Sequence, residues 1–563
     1  MSKYRIRSTV LICSLITAGS LIFSSFAQNA PEFRKRDLSV TVKDGENAIS
    51  GLEVKVEQTR HHFGFGAAMA YWPMDEDMMV DQYTNAYKNE NDDDNAINAL
   101  KDLLRERYKE IPEKYGPAFA KYFQWITPEN EMKWGDNQYQ RGADNYYKAD
   151  GLLEFAQEND IKVRGHNLFW NEHMQWMPDW IDSIAYFANT TDPTYFDTGM
   201  AIINQRTDEC LEYFKGKCAH WDIINEITHG QTDTIRLDSD NFVALGGNYG
   251  NLKALTNQNE IDIFEHILKR SREVEPNALF CLNDYNLVTQ YTNTRDNFIS
   301  MVNDLVNRGC DVDIIGCEGH FGGHFDKNEL KTKIDYIANG ISTGEIWLTE
   351  VDFTASDAAN WIEGIMDVCF EHERVGGICL WTPWEGNRWR EDLNSYLLDT
   401  NLVETPMGAK WLEKIQGWTT HATETTGSDG KLTVNGVHGE YVISFEKDGV
   451  SYDTTVYLEP GSSPLNVVIN LDGTGVSKKS LSKSFANKTI LVNNSKIAFN
   501  LPVTEKGQLF VKAYSISGKL LAKMPLSFNN GVSKIEKMPK GCHIYRIGTE
   551  TNNYHTVRGL NIN

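Results

Sequence analysis

The sequence has no Cys-X-X-Cys pair and no histidine-rich spacing of the kind that holds zinc, so no metal centre or cofactor is expected. Beyond residue 26 it has no apolar run long enough to cross a bilayer. It is short of positive charge, with 55 Lys and Arg against 78 Asp and Glu and a net charge of −23. Such a chain repels polyanions, which argues against nucleic acid and anionic membranes as partners. A neutral polymer imposes no charge requirement, so the acidity alone selects no substrate. Nine cysteines in 563 residues do not make a disulfide scaffold, and their spacing fixes no pairing.

What is present begins with an export signal. Lys3, Arg5 and Arg7 precede an apolar stretch over residues 10–26, and Ser25-Phe26-Ala27 supplies small residues at the −3 and −1 positions of a cleavage site. Residues 1–27 are therefore expected to be a signal peptide and the mature chain, without Cys13, to be secreted. A transmembrane anchor fits less well, because small and hydroxylated residues interrupt the stretch. At this length several domains are expected.

Residues 28–62 read as short strands: Leu38, Val40 and Val42 alternate, Lys43-Asp44-Gly45 turns, and Leu52, Val54 and Val56 alternate again. From 63 to 418 eight apolar, β-branched runs recur, at 63–69, 122–130, 161–170, 220–226, 278–286, 312–320, 345–352 and 376–384. Between them lie helical faces such as Ile202, Ile203, Cys210, Leu211 and Phe214, or Phe298, Met301, Val302, Leu305 and Val306. Alternating strand and helix means parallel pairing through right-handed crossovers, and eight units fit an α/β fold of the (β/α)8 TIM-barrel type. A doubly wound open sheet is disfavoured, since no glycine-rich phosphate turn follows the first strand. The acidic segment 71–110 reads as a solvated loop or short helices near the rim. Residues 419–474 return to β character and are expected to pair with the N-terminal strands in a structural module. Residues 475–487 read as a linker, and 488–563 as a small antiparallel β-sandwich.

The polar clusters all end the proposed strands, where a barrel gathers them around one mouth. Glu226 closes the fourth run and Glu350 sits in the seventh. Retaining glycosidases need two carboxyl groups about 5–5.5 Å apart, one protonated to serve the leaving oxygen and one ionised to attack the anomeric carbon. Close carboxylates push each other's pKa values apart, which helps assign those roles. Trp170, Trp381, Trp384 and Trp389 fall near the third and eighth strand ends and suit the apolar faces of sugar rings.

Over about 60–415 the sequence resembles glycoside hydrolase family 10, the endo-β-1,4-xylanases. Thr127-Pro128-Glu129-Asn130-Glu131-Met132-Lys133-Trp134, Arg164-Gly165-His166-Asn167-Leu168-Phe169-Trp170, Trp221 to Glu226, Asn283-Asp284-Tyr285-Asn286 and Thr349-Glu350-Val351-Asp352 carry the resemblance. The resemblance implies a retaining endo-xylanase acting on xylan or xylo-oligosaccharides. Glu226 would be acid/base, Glu350 nucleophile, Asn225 a partner of the sugar 2-hydroxyl, and His320 the group orienting Glu350 with Asp352 behind it. Glu129, Asn130, Lys133 and Tyr285 would bind sugar, His166 and Trp170 would wall the cleaved residue, Trp381 would floor it, and Trp389 would exclude a hexose hydroxymethyl group. A retaining β-1,4-glucanase or a non-catalytic polysaccharide-binding protein are the alternatives.

Three positions depart from the family pattern. Glu318 stands where most members have Gln, as in a plant-type subgroup, and also counts among the expected substrate-binding residues. A third carboxylate beside Glu350 should raise the pKa of one of the set. Cys281 matches a family cysteine whose usual partner position is Ile314 here, and Asn171 stands where histidine is common. The final unit resembles sorting or attachment domains of secreted bacterial hydrolases, implying a cell-surface or secretion-machinery partner, with sugar binding as the alternative.

Overall fold

The computed structural model describes residues 29–88, 93–170, 177–228, 252–290, 293–471 and the strand segments 477–478, 491–493, 496–498, 510–514, 520–525, 541–548 and 553–561. The expected signal peptide, Cys13, Asn171 and most of the expected linker lie outside the described residues. Two compact units are distinguished. The first comprises Met1–Leu38, Glu53–Glu424 and Val434–Pro464, the second Ser39–Leu52, Thr425–Thr433 and Leu465–Asn563.

In chain order the strands begin with β1 (Lys35–Asp44), β2 (Asn47–Ala48) and β3 (Glu53–His61). Next come β4 (Gly64–Met69), β5 (Trp125–Pro128), β6 (Lys162–Gly165), β7 (Phe169–Trp170), β8 (His220–Asn225), β9 (Leu279–Asp284), β10 (Ile314–Phe321), β11 (Glu345–Phe353) and β12 (Val375–Leu380). These nine form one parallel sheet in the order β6-β5-β4-β12-β11-β10-β9-β8-β7, and the β6–β8 pairing closes it. Since β6 and β7 are two pieces of one strand position, the result is an eight-stranded (β/α)8 barrel, as the alternating pattern implies. The strands are nearly continuous buried runs because helices cover their outer faces. Those helices bury the faces expected of them: Ile202, Ile203, Cys210, Leu211 and Phe214 on Tyr195–Phe214, and Phe298, Val302 and Leu305 on Thr294–Asn307.

In the acidic segment after β4, of the two readings, loop or short helices, the helices are found. Helices Glu76–Tyr87 and Asp94–Tyr108 occupy it, and Met79, Leu104 and Tyr108 join the barrel's outer core. Asp75 and Asp93 cap them, accepting from the backbone N–H of Met78 and Ala96 at 2.9 Å each. Part of the acidity is therefore capping chemistry.

The N-terminal ends of the strands meet in a dry plug of Trp125, Cys281, Ile314, Trp347 and Cys379. Trp347 lies edge-on to Trp125 with ring centres 5.1 Å apart. Gly64 and Gly377 leave the room it needs: a Cβ on either would come within 2.1 and 2.5 Å of the indole. Cys281 and Ile314 are register partners on β9 and β10, so the cysteine faces an isoleucine methyl instead of a second sulfur. Cys210, Cys218, Cys281, Cys310, Cys317, Cys369 and Cys379 are buried free thiols.

Beneath this plug the first unit carries a second sheet, made of β13 (His421–Thr425), β3, β15 (Gly439–Lys447) and β16 (Val450–Leu458) in that order. β3 and β15 run antiparallel from His61↔Gly439 to Val54↔Phe445. Arg34 pins the chain entry: its guanidinium donates to the carbonyls of Phe370, His372 and Val375 at 2.9, 2.9 and 2.6 Å.

In another sheet β14 (Lys431–Val437), β1, β17 (Leu465–Asn470) and β18 (Ser477–Lys478) lie in that order. Further on, β19 (Leu491–Asn493) pairs antiparallel with β20 (Lys496–Ala498). β21 (Phe510–Tyr514), β22 (Leu520–Pro525), β23 (Gly541–Gly548) and β24 (Asn553–Asn561) form an antiparallel sheet in the order β22-β21-β23-β24.

Candidate active site

At the opposite end of the barrel the strand termini open into a cavity of about 540 Å³. Of the residues singled out from sequence, Glu129, Asn130, Lys133, Trp170, Glu226, Tyr285, Glu318, His320, Glu350, Trp381 and Trp389 line it. His166, Asn225 and Asp352 stand just behind the lining and are fully buried. Trp384 is placed elsewhere. It is buried against Trp72 and Tyr115, with ring centres 5.8 and 5.3 Å away, and belongs to the outer core. Its nearness in sequence to Trp381 and Trp389 is what suggested a cleft position.

Glu226 follows β8 in the left-handed backbone region, at φ 55°. Its N–H donates to the Asn283 carbonyl at 2.7 Å, which holds a conformation that costs a non-glycine residue energy. Its Oε2 accepts from the indole N–H of Trp170 at 2.8 Å. Trp170 is the register partner of Asn225, so the strand ladder itself delivers the indole to the carboxylate.

Across the mouth, β11 presents Glu350 beside β10. A bulge between Cys317 and Glu318 makes Glu318 the register partner of Glu350. In an unbroken ladder Thr349 would occupy that place, so the bulge turns a third carboxylate toward the second. The side-chain amide of Asn283, on β9, ties the group together. Its Nδ2 lies 2.8 Å from Asn225 Oδ1, 2.8 Å from Glu318 Oε1 and 3.0 Å from Glu350 Oε1. Its Oδ1 accepts from the Thr349 hydroxyl at 2.6 Å.

His320 closes the other side. Nε2 lies 3.4 Å from Glu350 Oε2 and 3.6 Å from Glu318 Oε2, and Nδ1 lies 3.0 Å from Asp352 Oδ2. Burial alone would lower its pKa, but Asp352 and Glu350 outweigh burial and raise it to about 10. For Glu350, burial opposes ionisation, yet the His320 bond and the fields of His166, His320 and Arg164 hold the carboxyl down at about 2. Glu318 is pushed well above the usual carboxylate range, by burial first and then by Glu350 and Glu226. Glu318, His320 and Glu350 each bring a ligand-type atom within 4.8 Å of the others. Both ring nitrogens of His320 lie near carboxylate oxygens, so the three side chains form one charged cluster on the cavity wall.

On the remaining wall Lys133 donates to Asn130 Oδ1 at 2.7 Å and lies 4.9 Å from the Trp170 ring and 5.9 Å from that of Trp381. Burial lowers its pKa to about 8 against four nearby carboxylates. Glu129 accepts from the Asn387 amide, and burial followed by the charge of Glu131 raises it to about 7. Trp389 is half-exposed at the rim, and its N–H reaches inward to Asp352 Oδ2 at 2.7 Å.

Below the floor of the cavity Asp222 accepts from Arg164 Nε at 3.0 Å and faces His166 Nδ1 at 2.7 Å, while Arg164 also donates to the Thr349 carbonyl at 3.3 Å. This buried support was missed from sequence, as were Asn283 as a bridge and the lining residues Asn286, Thr289, Gln290 and Arg390. An arginine and an aspartate inside adjacent apolar strand runs were the available signal, because buried charges must find each other.

The fold and this mouth define a (β/α)8 barrel of the glycosidase class, with carboxylates from facing strands in one aromatic-walled cavity. The chain belongs to glycosyl hydrolase family 10, whose family model matches residues 82–412. Anti-sigma-I factor RsgI6 of Acetivibrio thermocellus is 30% identical over 445 residues, covering 78% of this chain and 49% of that protein. Endo-1,4-beta-xylanase 2 of Arabidopsis thaliana is 25% identical over 478 residues, covering 81% of this chain and 37% of its own length. The chain thus spans half or less of these curated relatives. Xylanase 10B of Thermotoga petrophila, solved with xylobiose, is 21% identical with a TM-score of 0.45, covering 63% of this chain and 95% of that one. No helix among the described residues is long and apolar enough to cross a membrane.

Proposed function

We propose that the chain is a secreted, retaining endo-β-1,4-xylanase that cleaves internal linkages of xylan by double displacement. Glu226 donates a proton to the leaving oxygen while Glu350 attacks the anomeric carbon and forms a glycosyl-enzyme. Glu226, now a carboxylate, then deprotonates the water that releases the sugar. The observation that carries this reading is the division of labour around one cavity. Glu350 is held ionised by His320, while Glu226, just past the facing strand β8, accepts at Oε2 from an indole that also walls the sugar site. The buried Asn225 Nδ2 and His166 Nε2 have no hydrogen-bond partner among the described residues, which suits them to sugar hydroxyls. Glu129, Asn130, Lys133 and Tyr285 bind the chain of sugars, Trp381 floors the cleaved one and Trp389 crowds out a hydroxymethyl group. The terminal β unit is assigned to attachment or export.

The test uses two variants and two substrates. Glu226→Ala should lose about 10²–10⁴-fold on xylan yet keep rapid glycosylation with aryl xylobiosides whose leaving group needs no proton. Glu350→Ala should be inactive on both, and the parent's first product should be the β anomer by NMR. Equal losses in both variants on both substrates, or an α product, would reject the assignment. Faster release of reducing sugar from carboxymethyl cellulose than from xylan would replace xylanase by glucanase.

A further inference from the structure

Hydrogen counting around Asn283 and His320 carries an inference that rests on the proposed reaction and extends it. The Nδ2 atom of Asn283 has two hydrogens, but three oxygens lie within 3.0 Å of it: Asn225 Oδ1, Glu318 Oε1 and Glu350 Oε1. The second oxygens of the same two carboxyls both approach Nε2 of His320, at 3.4 and 3.6 Å, and that atom has one hydrogen. Four carboxyl oxygens therefore share at most three N–H hydrogens, one of which Asn225 also claims. Two ionised carboxylates held this way, both largely buried in the cavity wall, would repel each other with too few protein donors to compensate.

We propose that Glu318 is a positioning carboxylic acid. It holds the one proton the pair lacks, so that Glu350 alone carries the negative charge, and the site fails when that proton is lost at alkaline pH.

The proton belongs on Glu318 because of what surrounds each partner. Glu350 faces His320, His166 and Arg164. Glu318 faces Glu350 on β11, Glu226 beyond β8 and Asp284 on β9, against Arg164 on β6 and His320 on its own strand. Burial and the three carboxylates together push Glu318 up, in the direction the hydrogen count requires. The bulge in the β10–β11 ladder is what makes the pair, since it aligns Glu318 with Glu350.

The experiment compares the parent with Glu318→Gln on a dinitrophenyl xylobioside, for which kcat/KM reports glycosylation without proton donation. Glutamine reproduces the neutral acid, so the plateau should fall by no more than about tenfold. The alkaline limb should move up by at least about one pH unit. Infrared difference spectra, parent minus variant, should show at neutral pH the carbonyl band of a protonated carboxyl, fading along the parent's alkaline limb. An unmoved limb, or no such band, overturns the proposal. A second measurement does not depend on that variant folding. In Glu226→Gln labelled with δ-¹³C glutamate, one glutamate resonance should keep a protonated shift at about pH 8, and none doing so would also overturn it. A parent that hydrolyses no xylan or aryl xylobioside would instead sink the activity reading, and the infrared and NMR signals would still report on Glu318.

Discussion

Trp347 and Glu350 belong to the same strand, one at each end of the barrel. Around Trp347 the strands offer tryptophan, cysteine and isoleucine, closed to water and held by shape, with Gly64 and Gly377 making way for the ring. Around Glu350 they offer three carboxylates, two histidines, a lysine and an amide, held by hydrogen bonds that do not suffice to satisfy every oxygen. The first arrangement stabilises the fold without any chemistry. The second leaves buried groups partly unpaired, as a site must if substrate is to supply the missing contacts.

The sharpest way to break this contrast is Trp347→Ala. A cavity in the plug should cost about 3–5 kcal/mol of stability by urea denaturation, while the pH profile of the folded fraction stays in place. A moved acid limb would mean that the two ends are coupled.

His320→Gln probes the mouth with a smaller effect on folding and a distinct effect on pH. Glu350 must be ionised to attack, and His320 holds it near a pKa of about 2. Without that cation the carboxyl rises, so the acid limb of kcat/KM should move to higher pH. The stability signs follow as well. The depressed Glu350 stabilises the fold above its unfolded value, and this is lost as pH falls toward about 2. The raised His320 stabilises the fold below its unfolded value, and this is lost as pH climbs through about 10. Chemical denaturation across pH should show both dependences weakened in the variant.

The smallest effect belongs to Trp389→Phe. It keeps an aromatic wall but removes the donor to Asp352, so kcat/KM should fall about tenfold, as expected for one hydrogen bond to a charged group. A loss confined to KM would mean that the indole N–H does not act through Asp352 and His320.

These contrasts also mark how far the amino-acid order could be read. The eight strands were legible because each is an apolar run, and Glu226 and Glu350 because each follows such a run with Asn or Thr beside it. The pairing of Glu318 with Glu350 was legible only as proximity on adjacent strands. Its register depends on a one-residue bulge, and no composition rule places one. Asn283 looked like one more polar residue at a strand end, since its role arises only when three other strands converge on it. Trp384 misled because two chain neighbours face the cavity while its own backbone turns it into the core. In the acidic segment after β4 the choice between loop and short helices stayed open, because the charges of Asp75 and Asp93 gave no sign that they cap two helices.

β3 has a further consequence, in time. Its partners β13 and β15 both follow the entire barrel in the chain. At roughly 5–20 residues made per second, β3 leaves the ribosome roughly 20–70 s before either neighbour exists. During that interval its alternating apolar face and both unpaired edges are open to any other strand. A strand made before the barrel is thus among the last to be satisfied, and a chain halted after residue 418 would carry that liability permanently.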